Sequence, residues 1–122
     1  MKKPTAFLLT ILAMLTGFVT FAQEAKTIKL DQTPGEFKTT ELTLKPGKYV
    51  FDVTNKGVDH AVGFVITPKG ETDQENHIQS SYLSKIIENG ESAQSGEVTL
   101  EKGEYVYFCP LNPTPHYRLV VK

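Results

Sequence analysis

Glu104-Tyr105-Val106-Tyr107-Phe108-Cys109-Pro110-Leu111-Asn112-Pro113-Thr114-Pro115-His116-Tyr117 reads as a strand, a stiff loop and the opening of a second strand. Aromatic and β-branched residues crowd Tyr105 to Phe108, which is strand composition. Cys109-Pro110 breaks the run. Pro110, Pro113 and Pro115 each fix a backbone torsion and stiffen the loop. The loop carries the only cysteine of the chain, and His116 at its far end is one of three histidines. A thiolate and an imidazole bracketing a stiff loop can form half of a metal site.

The same stretch belongs to an internal repeat. Glu41 to Val53 (ELTLKPGKYVFDV) aligns without a gap to Glu97 to Cys109 (EVTLEKGEYVYFC). Each copy is a strand, a glycine corner and a strand opening on tyrosine. That is too short for a solenoid. It fits two equivalent corners of one sandwich, where a tyrosine just past the corner can hydrogen-bond back across it. Val53 lies on the inward row Tyr49, Phe51, Val53. Cys109 falls at the matching position, so it ends an inward row Tyr105, Tyr107, Cys109.

Working outward, Thr27 to Leu30 is a short strand and Thr33-Pro34-Gly35 a turn. Phe37 to Leu44 is a strand, closed by Lys45-Pro46-Gly47. Lys48 to Thr54 alternates cleanly and ends at the turn Asn55-Lys56-Gly57. Val62, Phe64 and Ile66 form one face of a further strand, and His60 is in phase with them. Between residues 68 and 92 the pattern changes. Thr72-Asp73-Gln74-Glu75 fits a capping box, and Ile78, Tyr82 and Ile86 follow at helical spacing. This predicts a short helix over about 74–88, with Gly90 as its left-handed stop. Strands return at 96–100, 104–109 and 116–121. The expected fold is all-β, a Greek-key β-sandwich of about seven to eight strands with one inserted helix.

The 122 residues suffice for one domain. Lys2 and Lys3, the apolar run 6–21 and the small residues around Ala22 make residues 1–22 a secretory signal peptide. An uncleaved membrane anchor is the other reading of that run. The domain is then 23–122, in the periplasm or secreted, with no membrane span after cleavage. Losing two lysines leaves 11 basic against 14 acidic residues, a net charge of about −3. That charge offers no footprint for nucleic acid.

An odd cysteine in an exported chain needs a role. A buried apolar residue, an intermolecular bridge, a reactive redox-sensing thiol and a metal thiolate are the choices. His60 and Cys109 both sit at inward strand ends, and His116 opens the last strand. A His60, Cys109, His116 set suits copper, because imidazole and soft thiolate together hold both of its oxidation states. Edge-of-core packing for His60 and plain exposure for His116 are the alternatives, and His77 reads as solvated. The carboxylates are scattered and give no pair for acid–base catalysis, so an enzyme is not expected. An immunoglobulin-like domain would show a cysteine pair and a buried tryptophan, and the chain has neither.

Leu44 to Asn55 leading to His60, and above all the Gly-x-Tyr-x-aromatic-x-Cys run Gly103 to Cys109, resemble the cupredoxins, of the plastocyanin-like single-domain type. The resemblance covers most of residues 23–122. It implies one copper ion in a type 1-like site, with His60 as the first histidine and Cys109 as the thiolate. The implied role is a monomeric electron-transfer carrier serving a redox partner protein in the envelope. Copper delivery between donor and acceptor proteins, or a metal-free binding module of the same fold, is the alternative. The chain departs from the family pattern after Cys109. Asn112 stands where a second histidine is usual, His116 comes seven residues after the cysteine, and no methionine follows Met14. Ala61 follows His60 where the best-known members have asparagine. These departures from the family pattern make the expected copper site nonstandard or lost, with His116 either the equatorial ligand or in the axial region.

Overall fold

Alternation along Gly47–Asn55 (β4) decides which way the first sheet faces: Tyr49, Phe51, Val53 and Asn55 are buried, and the residues between them are not. The structure, a computed structural model, describes residues 24–122. The signal-peptide expectation for 1–22 lies outside the described residues.

With β4 in place, the other strands are Lys26–Thr33 (β1), Glu36–Phe37 (β2), Glu41–Leu44 (β3), Val65–Pro68 (β5), Ser92–Gln94 (β6), Val98–Leu100 (β7), Gly103–Phe108 (β8) and Tyr117–Val121 (β9). One sheet runs β2-β1-β4-β6, with β7 also paired to β4; the other runs β3-β9-β8-β5. β1 lies parallel to β4 and β3 parallel to β9, so each half of the sandwich carries one crossover pairing. The expected β-sandwich is what forms. The single strand expected over 37–44 is two, because the chain leaves the first sheet after Phe37 and joins the second at Glu41. The Tyr107 hydroxyl holds that crossing by donating to the Thr39 carbonyl.

The two inner faces meet on an aromatic stack. Phe51 and Phe64 are stacked with centroids 5.3 Å apart, and Phe37 meets Tyr107 edge-on at 5.6 Å. Offset and edge-on pairs of this kind add to what area burial alone supplies. Both tyrosine corners of the repeat are closed. Tyr49 donates to the Lys45 carbonyl at 2.6 Å, and Tyr105 to the Glu101 carbonyl at 2.9 Å. Cys109 is buried just past the end of β8, as the match to Val53 required.

The helix expected over 74–88 does not form. Two single 3-10 turns, Gln74–Asn76 and Gln79–Ser81, take its place. No side chain caps the first turn, so the Thr72–Glu75 box is not made. The backbone of this segment is committed elsewhere: Ile78 N–H donates to the Ile66 carbonyl, Ser84 N–H to Gln94, and Ile87 exchanges bonds with Val62. Ile86 is exposed while Ile87 is buried, so the helical spacing of 78, 82 and 86 does not mark one buried face. Gly90 does adopt the left-handed backbone, at φ 88°, in a turn closed by its N–H on the Asn55 carbonyl. Among the described residues no helix is long and apolar enough to cross a membrane.

Candidate metal centre

Cys109 lies where β8 ends and the proline loop begins, and it is 4% exposed. Three backbone amides converge on the sulfur. Asn112 N–H donates at 3.1 Å, Gly63 N–H at 3.3 Å and Leu111 N–H at 3.4 Å. Three donors aimed at one acceptor fix the sulfur in position. Two of the three come from the loop itself, which doubles back because Cys109 N–H is capped by the Thr114 hydroxyl at 3.2 Å.

The third amide, from Gly63, arrives on a different segment, and a buried side chain ties the two together. Gln32, fully buried at the end of β1, donates from Nε2 to the Gly63 carbonyl at 3.0 Å. Its Oε1 accepts from Asn112 Nδ2, also at 3.0 Å. The carboxamides of Gln32 and Asn112 thus close a ring around the thiol. A buried carboxamide costs free energy unless both ends are paired, and here both ends of Gln32 are. Gln32 is not among the site residues expected from the sequence. The one signal for it there is its inward phase on β1, a polar residue in a buried row.

The histidines stand elsewhere. His60 is exposed, five residues before β5 begins, and its Nδ1 lies 3.0 Å from the Ala61 carbonyl. Asn55 sets this posture. Its Nδ2 donates to the Val58, His60 and Ile87 carbonyls at 3.2–3.3 Å, so the His60 backbone faces inward and the ring outward. His116 is exposed with its ring on Phe108, centroids 4.3 Å apart. Phe108 points to the outer cluster with Val65 and Val106, while its neighbour Cys109 points into the main core. His116 and the thiol are therefore on opposite faces of one sheet. His77, expected to be solvated, is half-buried: its Nδ1 pairs with the Tyr82 hydroxyl at 2.6 Å, and its ring meets Phe108 edge-on. Among the described residues no three or more His, Cys, Asp or Glu side chains gather as a metal site. The set His60, Cys109, His116 is thus not brought together here.

Two facing sheets thus place a buried cysteine past the end of an inner strand, beside a short proline-rich loop. The sequence model for the copper binding proteins of the plastocyanin/azurin family matches residues 24–122, and the chain belongs to that family. No curated protein matches the sequence. Among solved structures it is similar to auracyanin A, described as a "blue" copper protein, from Chloroflexus aurantiacus, with 18% identity, 81% of this chain and all of that one covered, and a TM-score of 0.64. Auracyanin B gives 18% identity, 83% and 91% coverage and a TM-score of 0.66. An azurin from Methylomonas sp. strain J gives 13% identity, 81% and 99% coverage and a TM-score of 0.60.

Copper is the metal this family implies. The thiol suits it: a soft sulfur, shielded from water and held in place by three amides. The nitrogen half of the donor set is not assembled around it, and Asn112, three residues past the cysteine, is spent on Gln32. The site fits the thiolate part of a copper centre and no more than that part.

Proposed function

We propose that the chain is an exported copper protein that works as a small electron-transfer carrier, with its metal anchored on the Cys109 thiolate and no catalytic role. The convergence of three amides on one buried sulfur carries this reading. Copper, when bound, supplies a one-electron couple. The chain supplies the rest: a sulfur fixed by three hydrogen bonds, a loop held by prolines and by the Gln32–Asn112 pair, and a dry core beneath it. His60 is the imidazole we assign to the thiolate, since its loop leads directly into Gly63, which already donates to the sulfur. His116 lies on Phe108, the residue before the cysteine, and marks the outer surface beside the site. The electron is exchanged with a redox partner protein outside the cytoplasm.

Adding Cu(II) to the purified protein and recording the visible spectrum tests this. An intense sulfur-to-copper band is expected, lost in Cys109→Ser, weakened in His60→Gln and kept in His116→Gln. No band and no stoichiometric copper would overturn the reading. The bond between Asn112 and Gln32 favours a second one, a metal-free binding module of the same fold, which predicts that negative result. A colourless complex formed only with Cu(I) would instead indicate copper delivery.

A further inference from the structure

The end of the sandwich away from the thiol is basic. Parallel pairing of β1 with β4 sets Lys26 beside Tyr49 where the two strands begin, and Gln32 beside Asn55 where they finish. Gln32 belongs to the thiol loop's ring, so Lys26 stands about 20 Å from it along β1. Lys45 and Lys48 flank the glycine corner next to Lys26, and the three lysines line a cleft of about 320 Å³. Lys122 joins them, its N–H on the Leu44 carbonyl, and Lys102 lies on the turn into β8, whose first residue pairs with Val121. All five lysines are exposed. None of the five is in an ion pair among the described residues, where the pairs use Lys56, Lys69, Lys85 and Arg118. Residues 1–23 hold no Asp or Glu that could pair with them.

Against these five stand Glu24 in the cleft, Glu101 on the turn before β8 and Glu71 past the end of β5. The rest of the described chain carries six basic and eleven acidic residues. The modest net charge thus hides a positive end on a negative body. A molecule so divided turns its positive end toward an anionic surface and its body away. The sequence says which surface. The apolar run 6–21 stops two residues before Glu24, and Glu24 lines the cleft, so the chain reaches the sandwich through this face. Three extended residues span only about 10 Å, which puts the lysines at headgroup level wherever the run lies in a bilayer. We infer that this end is a seat for anionic phospholipid headgroups, with a phosphate in the cleft between Lys26, Lys45 and Lys48. Seated there, the domain holds its thiol loop outward, toward partners arriving from the aqueous side.

The test mixes the purified full chain with vesicles of phosphatidylcholine, or of phosphatidylcholine with phosphatidylglycerol, at low salt. Lysines are then acetylated and read by mass spectrometry. Phosphatidylglycerol should protect Lys26, Lys45, Lys48, Lys102 and Lys122 several-fold beyond what phosphatidylcholine does, and leave Lys38 and Lys85, toward the thiol end, unprotected. Raising the salt should remove the difference. Lys26→Gln/Lys45→Gln should raise the phosphatidylglycerol needed to protect the remaining three about tenfold. Lys38→Gln/Lys85→Gln changes the net charge equally and should leave it unmoved. No added protection by phosphatidylglycerol, equal protection of Lys38 and Lys85, or equal effects of the two double variants would overturn the inference. So would protection of the five lysines by polyglutamate but not by vesicles, which would assign the face to an acidic protein. The readout needs no metal, so its failure would leave the reading of Cys109 as it stands.

Discussion

Gln32 shows how one residue can organise a site without touching the atom at its centre. It never contacts the Cys109 sulfur, yet it holds the two segments whose amides do. Gln32→Leu would keep the volume and strand the Asn112 carboxamide and the Gly63 carbonyl without partners. Such orphaned groups cost about 1–3 kcal/mol each, so a clear drop in the urea midpoint is expected, with the slope unchanged. Asn112→His tests the other face of the lock. It restores the residue type the family usually has near this position and breaks the bond to Gln32. Copper affinity should rise in a Cu(II) titration while thermal stability falls. His60 makes the complementary point: its phase with Val62 and Phe64 is legible in the sequence, but a strand's phase governs only residues in the strand. β5 begins at Val65, and Asn55 turns the preceding loop by three carbonyl contacts.

At the scale of elements, the repeated corner is the most informative pattern in the sequence. It places Cys109 by analogy with Val53, and it anticipates the two tyrosine bonds. These bonds differ in setting: that of Tyr49 is part-buried and that of Tyr105 exposed. Tyr49→Phe should therefore destabilise by about 1 kcal/mol, and Tyr105→Phe by less, in paired denaturation curves. The segment 74–88 is the least legible element. Its apolar spacing matches a helix, but the spacing arises from residues serving different neighbours. Tyr82 packs on the outer cluster, Ile78 against the core, and Ile86 is exposed. Hydrogen bonds to Ile66, Gln94 and Val62 hold it as an edge-following ribbon.

The whole molecule depends on its aromatic core and on the protonated state of one phenol within it. Phe51 is fully buried between Tyr49 and Phe64. Phe51→Ala should cost about 3–5 kcal/mol, enough to remove a large part of the stability of a domain this size. Burial raises the Tyr107 pKa well above its ordinary value, and the charges of Tyr117 and Glu41 add to the effect. The folded state therefore holds this proton more tightly than the unfolded chain does. The associated stability is complete below about pH 10, the ordinary phenol range, and is lost as pH rises beyond it. Alkaline unfolding followed by circular dichroism should start at higher pH in Tyr107→Phe, although that variant also loses the bond to Thr39.

What the sequence determined by itself is what local chemistry dictates. A two-residue alternation shows which strand faces turn inward, glycine and proline show where strands end, and a gapless repeat carries one copy's geometry to the other. From these came the sandwich, its corners and the buried thiol. The tertiary structure alone decided where the histidines point, how the 74–88 segment runs, and that Gln32 and Asn112 close over the cysteine. Those outcomes rest on hydrogen bonds between residues far apart in the chain, Gln32 to Asn112 and Ser84 to Gln94 among them. No local pattern records which distant partner a carboxamide or an amide will meet.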